Sequence, residues 1–278
     1  MNARELDRSR FSRLAALITR ELGIRMPPAK VPMLETRLQR RLRELGLRSV
    51  EDYERYLFDP AHADHELVHF LDLATTNKTD FFREPQHLDY LVDTALPTLR
   101  AKGASDHCRL WSAGCSTGQE AYTLAIVLAE YALRDAPGFS YSILATDVSQ
   151  RALDQARTAT YAESQLAPIA LELRKRHLLR SKDRRRALVR IAPQLRAKVR
   201  FARLNFMDRE YRVRDEFDVI FFRNVMIYFD KPTQEAVMQK LCRNLRQGGY
   251  VFIGHSESLA GLDLPLKAVA NSVFRKVR

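Results

Sequence analysis

The stretch 109–133 narrows most sharply what this chain can become. It reads RLWSAG, then CSTG, then QEAYTLAIVLAEYAL: an apolar strand, a tight turn of small residues and a strong helix. A strand that passes into a helix through such a turn is the opening unit of a nucleotide-binding α/β fold. Gly114 and Gly118 let the backbone there approach a ligand closely. The pattern continues downstream. YSILATD (141–147) is a second strand followed by the helix SQRALDQAR, and VRFARLNF (199–206) is a third strand. FDVIFFRN (217–224) is a fourth, followed by the helix TQEAVMQKLCRNL. YVFIGH, after Gly248 and Gly249, is a fifth, and NSVFRKVR closes the chain with one more. Alternating strands and helices imply a parallel sheet covered on both faces.

The first 73 residues follow a different period. Phe11, Leu14, Leu17, Ile18 and Leu22 recur at helical spacing before Gly23. After Pro27 and Pro28, Leu34, Leu38, Leu42 and Leu45 fall on one face of a second helix, with Arg37, Arg40 and Arg41 flanking that stripe. Ser49 caps a third helix, VEDYERYLF, and 64–73 reads as a fourth. This region is a small helical bundle without a catalytic constellation of its own. One stretch is oversized for an α/β unit: 159–197 lies between a helix and a strand where two to six residues would ordinarily do. It carries a helix-like run, APIALELRKRHLL, and a hairpin signal around SKDRRRALVRI.

Charge adds a location. The chain of 278 residues carries a formal net charge of +12. Within 160–200, 12 Lys and Arg stand against 3 Asp and Glu, whereas the first 73 residues are nearly balanced. The excess is thus a local basic surface on the insertion, not a coat for nucleic acid. No apolar run approaches the ~20 residues of a membrane span, and the charged N-terminus is no signal peptide. Cys108, Cys115 and Cys242 are too few and too scattered for a disulfide framework or a zinc site, which suits reduced thiols in the cytoplasm; no metal is expected.

Polar residues gather at the strand ends, where open α/β sheets bind ligands. Asp147 ends the second strand, in position to accept hydrogen bonds from a ribose. Asn205 ends the third, and Arg223 and Asn224 end the fourth. The turn G-C-S-T-G is not the dinucleotide pattern G-x-G-x-x-G, and Glu120 at the following helix N-terminus would repel a pyrophosphate. A cationic ligand without phosphate, such as S-adenosylmethionine, suits the pocket better than a nicotinamide cofactor.

Five stretches together resemble the CheR family of chemotaxis receptor methyltransferases: TNKTDFFRE (76–84), WSAGCSTGQEAYTLAI, ATDVS, FFRNVMIYFDKPTQE and GGYVFIGHSES. TRLQRRLRELG with a downstream YLF resembles that family's N-terminal domain. The resemblance implies a Rossmann-like class I methyltransferase sheet with a small inserted β-subdomain, preceded by an all-helical domain. The implied division is a helical domain over 1–73, a linker over 74–90 and a methyltransferase domain over 91–278, with the insertion at about 159–197. The implied reaction transfers a methyl group from S-adenosylmethionine to glutamates of a bacterial chemoreceptor, giving γ-methyl esters and S-adenosylhomocysteine.

The resemblance places cofactor contacts at Asn77, Thr79 and Arg83 in the linker, at Glu120 and Asp147, at Asn205 with Phe206, and at Arg223 with Asn224. The implied partner is a cytoplasmic receptor helical bundle, toward which Arg37, Arg40 and Arg41 would form a cationic strip. In some members the inserted subdomain grips a peptide at the receptor C-terminus through a glycine-rich turn; here 181–186 reads SKDRRR, without glycine. A glutamate side chain is already ionised at neutral pH, so no general base is required. Tyr228 and His255 are the candidates for orienting the acceptor. A nucleic-acid methylase would explain the charge, yet the fourth strand ends in NVMIY and not in the Asn/Asp-Pro-Pro-aromatic signature of exocyclic amine methylases.

Overall fold

The computed structural model describes residues 11–101, 107–213 and 215–277. The helical expectation for 1–10 lies outside them. The N-terminal part begins with α1 (Ser12–Leu22), which stops at Gly23, where a φ of 68° lets the Gly23 N–H reach the Thr19 carbonyl. A 3₁₀ turn then leads into α2 (Val31–Leu45). Ser49 caps α3 (Val50–Phe58) by accepting the Asp52 N–H at 3.1 Å, and α4 (Ala63–Ala74) completes the bundle. Leu14, Ile18, Leu34, Leu38, Tyr53 and Phe70 are fully buried at its centre. The apolar stripes read from the sequence therefore face one another.

A linker leads through α5 (Pro85–Tyr90), a π-turn and α6 (Leu96–Ala101) to the main sheet. That sheet holds β1 (His107–Ala113), β2 (Ser140–Asp147), β6 (Val199–Arg203), β7 (Phe217–Phe222), β8 (Leu245–Ile253), β9 (Leu266–Ala270) and β10 (Val273–Lys276). Their order is β6-β2-β1-β7-β8-β10-β9. Among its helices, α7 (Gln119–Arg134), α8 (Gln150–Thr158) and α11 (Lys231–Arg243) follow β1, β2 and β7. Apolar side chains fill both faces: Leu110, Phe221 and Phe252 on one, Trp111, Ile220 and Phe222 on the other.

Two expectations need correction. The sheet is mixed, not wholly parallel: β10 runs antiparallel to both β8 and β9. A hairpin turn at Asn271 and Ser272 joins β9 to β10, and a hairpin reverses direction where a helical crossover would preserve it. β9 was also not expected; it lies at the sheet edge with its middle residues exposed, so it lacks an apolar pattern.

The insertion contains β3 (Thr160–Ala162), α9 (Leu171–His177), β4 (Leu178–Arg180), β5 (Leu188–Ile191) and α10 (Pro193–Arg196). Its strands form a separate antiparallel sheet, β3-β5-β4. It is anchored to the main domain: the Tyr161 hydroxyl donates to the Thr117 carbonyl at 2.8 Å, and the Glu130 carboxylate on α7 binds Arg176 at 2.7 Å and His177 Nε2 at 2.6 Å.

Candidate active site

Strand order reverses at β1: β2 and β6 lie to one side, β7 to the other. The crevice at the carboxyl ends of these strands is the expected binding position, and a cavity of about 270 Å³ opens there. From the sheet come Gly114 and Ser116 after β1, Glu120 on α7, Asp147 at the end of β2, Asn205 and Phe206 after β6, and Arg223 and Asn224 after β7. From the linker come Asn77, Thr79 and Arg83. The structure thus brings ten of the eleven expected cofactor residues to one cavity.

Gly118 is the exception. Its φ of 94° suits the turn, but a Cβ there would meet Ala156 Cβ and the Tyr161 hydroxyl, each at 2.9 Å. It gives room for α8 and the insertion to pack and does not line the cavity. Gly114 does line the cavity, with φ 84°, and a Cβ there would stand 2.6 Å from Val225 Cγ2.

The electrostatics differ from the sequence reading at Glu120. This carboxylate is not free to repel a phosphate: it accepts Arg223 Nε at 2.7 Å and the Ser112 hydroxyl at 2.7 Å. Asp147 is the acidic group without a cationic partner among the described residues. Its oxygens accept the amides of Ser116 at 2.8 Å and Ser149 at 2.9 Å. Burial pushes its carboxyl above the ordinary range, and those amides pull it partly back. With the Val148 amide also acting on it, the carboxylate still has lone-pair capacity for a further donor. The residues therefore fit a ligand with hydroxyl donors and positive charge, while apolar Val148 and Phe206 suit an aromatic base.

Behind the cavity Arg223 works as a clamp. Its Nη1 donates to the Arg83 carbonyl at 2.8 Å and stands 3.5 Å from Glu84 Oε2 and 3.4 Å from His87 Nδ1. Burial, then the charge of Arg223, lower the His87 pKa to about 4, so this imidazole is neutral at physiological pH. Arg83 is presented by strained backbone: Phe82 and Glu84, on either side, have φ of 52° and 53°. Glu84, His87 and His255 lie close enough to suggest a metal trio, but the Arg223 guanidinium stands among them.

Tyr228 lines the cavity, with the Lys30 ammonium over its ring at 5.1 Å. His255 does not; it is exposed and packs edge-on against His87. The three arginines of α2 do not form an exposed strip. Arg37 donates to the Leu73 and Thr75 carbonyls at 2.7 Å each, closing the end of α4. Arg41 makes a two-pronged bond to buried Glu66, at 2.9 and 2.6 Å. Arg40 alone is largely in solvent, paired with Glu44 at 3.0 Å.

Sequence reasoning missed one wall. Leu22, Ile24, Met26, Lys30 and Met33, from the end of α1 to the start of α2, face the cavity from the helical bundle. Asn205 Nδ2 donates to the Glu21 carbonyl at 2.6 Å, and the Arg25 N–H donates to the Tyr228 carbonyl at 3.0 Å, clasping the bundle against the strand ends. No local pattern marks these residues, because the contact exists only once two separately patterned regions dock.

Comparison with known proteins is consistent across the chain. Residues 77–274 match the family model described as CheR methyltransferase, SAM binding domain, and residues 9–75 match CheR methyltransferase, all-alpha domain. The chain is 34% identical to the chemotaxis protein methyltransferase of Borreliella burgdorferi over 92% of its own length and 90% of that protein. It is 37% identical to the Salmonella typhimurium protein of the same description over 92% of this chain and 86% of that one. For Escherichia coli the figures are 36%, 93% and 87%.

Proposed function

The chain belongs to the CheR methyltransferases, and from that membership we infer that it transfers a methyl group from S-adenosylmethionine to glutamate side chains of a bacterial chemoreceptor, forming γ-methyl esters. The observation that carries this reading in the structure is the buried, cation-free carboxylate of Asp147 at the topological switch point of the sheet. S-adenosylmethionine supplies an electrophilic methyl group on a positively charged sulfur. The chain's own task is to hold, orient and keep dry. Asp147 would receive ribose hydroxyls, and Asn77, Thr79, Glu120, Asn205 and Arg223 would shape the rest of the cradle.

Lys30, Lys78 and Arg83 put cationic side chains on the same cavity. They would draw in the acceptor carboxylate, which is ionised at neutral pH without help from a base. Tyr228, at the same wall, would orient it. We divide the work between a helical domain over 1–73, a linker over 74–90 and a methyltransferase domain over 91–278. The receptor's cytoplasmic helical bundle is the proposed partner, met by the flank of α2 on which Arg40 is exposed. The basic insertion, about 159–197, would meet an acidic receptor segment. The three cysteines are free and buried, which suits the cytoplasm, and no described helix is long and apolar enough to cross a membrane.

The test is transfer of radiolabelled methyl from S-adenosylmethionine to receptor-containing membranes, with calorimetry for the donor. Base-labile label on the receptor is expected. No donor binding, or label that survives base, would sink the reading.

A further inference from the structure

We propose that Glu257 is a positioning residue for methyl transfer: its carboxylate binds the amides of Asn224 and Gly254 and so sets the wall of the cavity formed by 224–228. This rests on the donor reading above. β7 ends at Phe222, and the next residues must turn sharply away from the sheet. Asn224 does so with φ 60°, a left-handed conformation that is strained for a non-glycine residue. A single 3₁₀ turn, Met226–Tyr228, follows. The amides at the start of such a turn have no partner within it. The turn nevertheless carries Asn224, Val225, Ile227 and Tyr228 to the cavity.

Glu257 supplies the missing partner from the far side. Its Oε2 accepts the Asn224 N–H at 2.9 Å and the Gly254 N–H at 2.7 Å. The amides of Met226 and Ile227 also act on the carboxylate, but its Oε1 is buried without a hydrogen-bond partner among the described residues. No Lys or Arg of the described residues lies within ion-pair distance, so backbone amides alone hold this charge. The arrangement leaves no room for a side chain at 254: a Cβ there would stand 2.6 Å from Asn224 Nδ2 and 3.0 Å from Glu257 Oε2. Gly254, Asn224 and Glu257 therefore interlock. Glu257 does not line the cavity, so it acts only through the segment it holds. That segment in turn presses Val225 against Gly114, fixing the distance between the two loops that would embrace the donor.

The experiment uses the full-length chain with Glu257→Gln and Glu257→Ala. Hydrogen exchange of the ligand-free proteins is read peptide by peptide, and the donor Kd and both KM values are measured. In Glu257→Ala the peptide covering 223–229 exchanges at least tenfold faster while β1 and α7 keep their protection. The Kd and KM for S-adenosylmethionine rise about tenfold or more, equivalent to ~1.4 kcal/mol, while the receptor KM changes less than threefold. Glu257→Gln gives an intermediate loss, because its carbonyl still accepts the two amides that Oε2 now binds while the negative charge is gone. It also carries the test if the alanine variant does not fold. Unchanged protection over 223–229, unchanged donor affinity, or protection lost evenly across the whole chain would each overturn the proposal. Failure of the unaltered protein to bind the donor would sink the donor reading instead, and the ligand-free exchange data would still judge the anchor.

Discussion

Arg40 and Arg41 are neighbours on α2 with opposite surroundings. Arg41 is bound to Glu66, which also accepts the Tyr53 hydroxyl at 2.7 Å. Burial pushes the Glu66 carboxyl up, but the bonds from Arg41 and Tyr53 outweigh that and hold it below the usual range. Breaking a buried pair strands the remaining charge. Arg41→Ala is expected to destabilise the protein by about 3 kcal/mol in denaturant titration, while Arg40→Ala changes stability by less than about 0.5 kcal/mol. Receptor methylation should therefore be compared with Arg40→Ala, since loss in Arg41→Ala would report unfolding. His87 supplies a second residue-scale prediction. Its pKa falls to about 4 in the fold, from ~6.5 unfolded, so acid favours the unfolded chain. The contribution is fully present above pH ~6.5 and is lost as pH falls toward 4. His87→Gln should shrink the stability loss between pH 7 and 4.5 by about 2 kcal/mol, read by chemical denaturation at each pH. The residue types at the strand ends were legible in the sequence. Their pairings were not: nothing local shows that Arg223 neutralises Glu120, or that two of three arginines on one helix are already engaged.

At the scale of elements, the strand–turn–helix units were legible because apolar period and glycine punctuation agree. Val225 belongs to one loop and Gly114 to another, yet each limits the other. Gly114→Ala would pay for φ 84° and push against Val225. A stability loss of ~1 kcal/mol should come with a far larger loss of donor affinity in calorimetry. The insertion was legible as an oversized segment, but its attachment was not, since the Glu130 anchor lies on α7, far away in sequence. Glu130→Ala is expected to cost about 2 kcal/mol and to raise hydrogen exchange over 171–180 above that of the main sheet. Edge strand β9 stayed hidden because an exposed strand needs no apolar alternation.

For the whole molecule, the cavity belongs neither to the bundle nor to the sheet. Both contribute walls, and a ligand that fills it should stabilise both at once. S-adenosylhomocysteine at 100 times its Kd would add ~2.7 kcal/mol, raising the melting temperature by about 5 °C in a single transition. NAD and ATP at the same concentrations should shift it by less than about 1 °C. The order of the two regions was legible from their different periods. Their docking was not, because the clasps at Asn205 and Arg25 join a side chain or an amide to a distant carbonyl, and backbone carbonyls carry no sequence signature. In the linker, Asn77 binds Ser116 through its carbonyl at 2.8 Å and lines the cavity, so the same few residues are both strap and seat. A force drawing the two regions apart would have to peel that strap first, and would spill the cargo while each half was still intact.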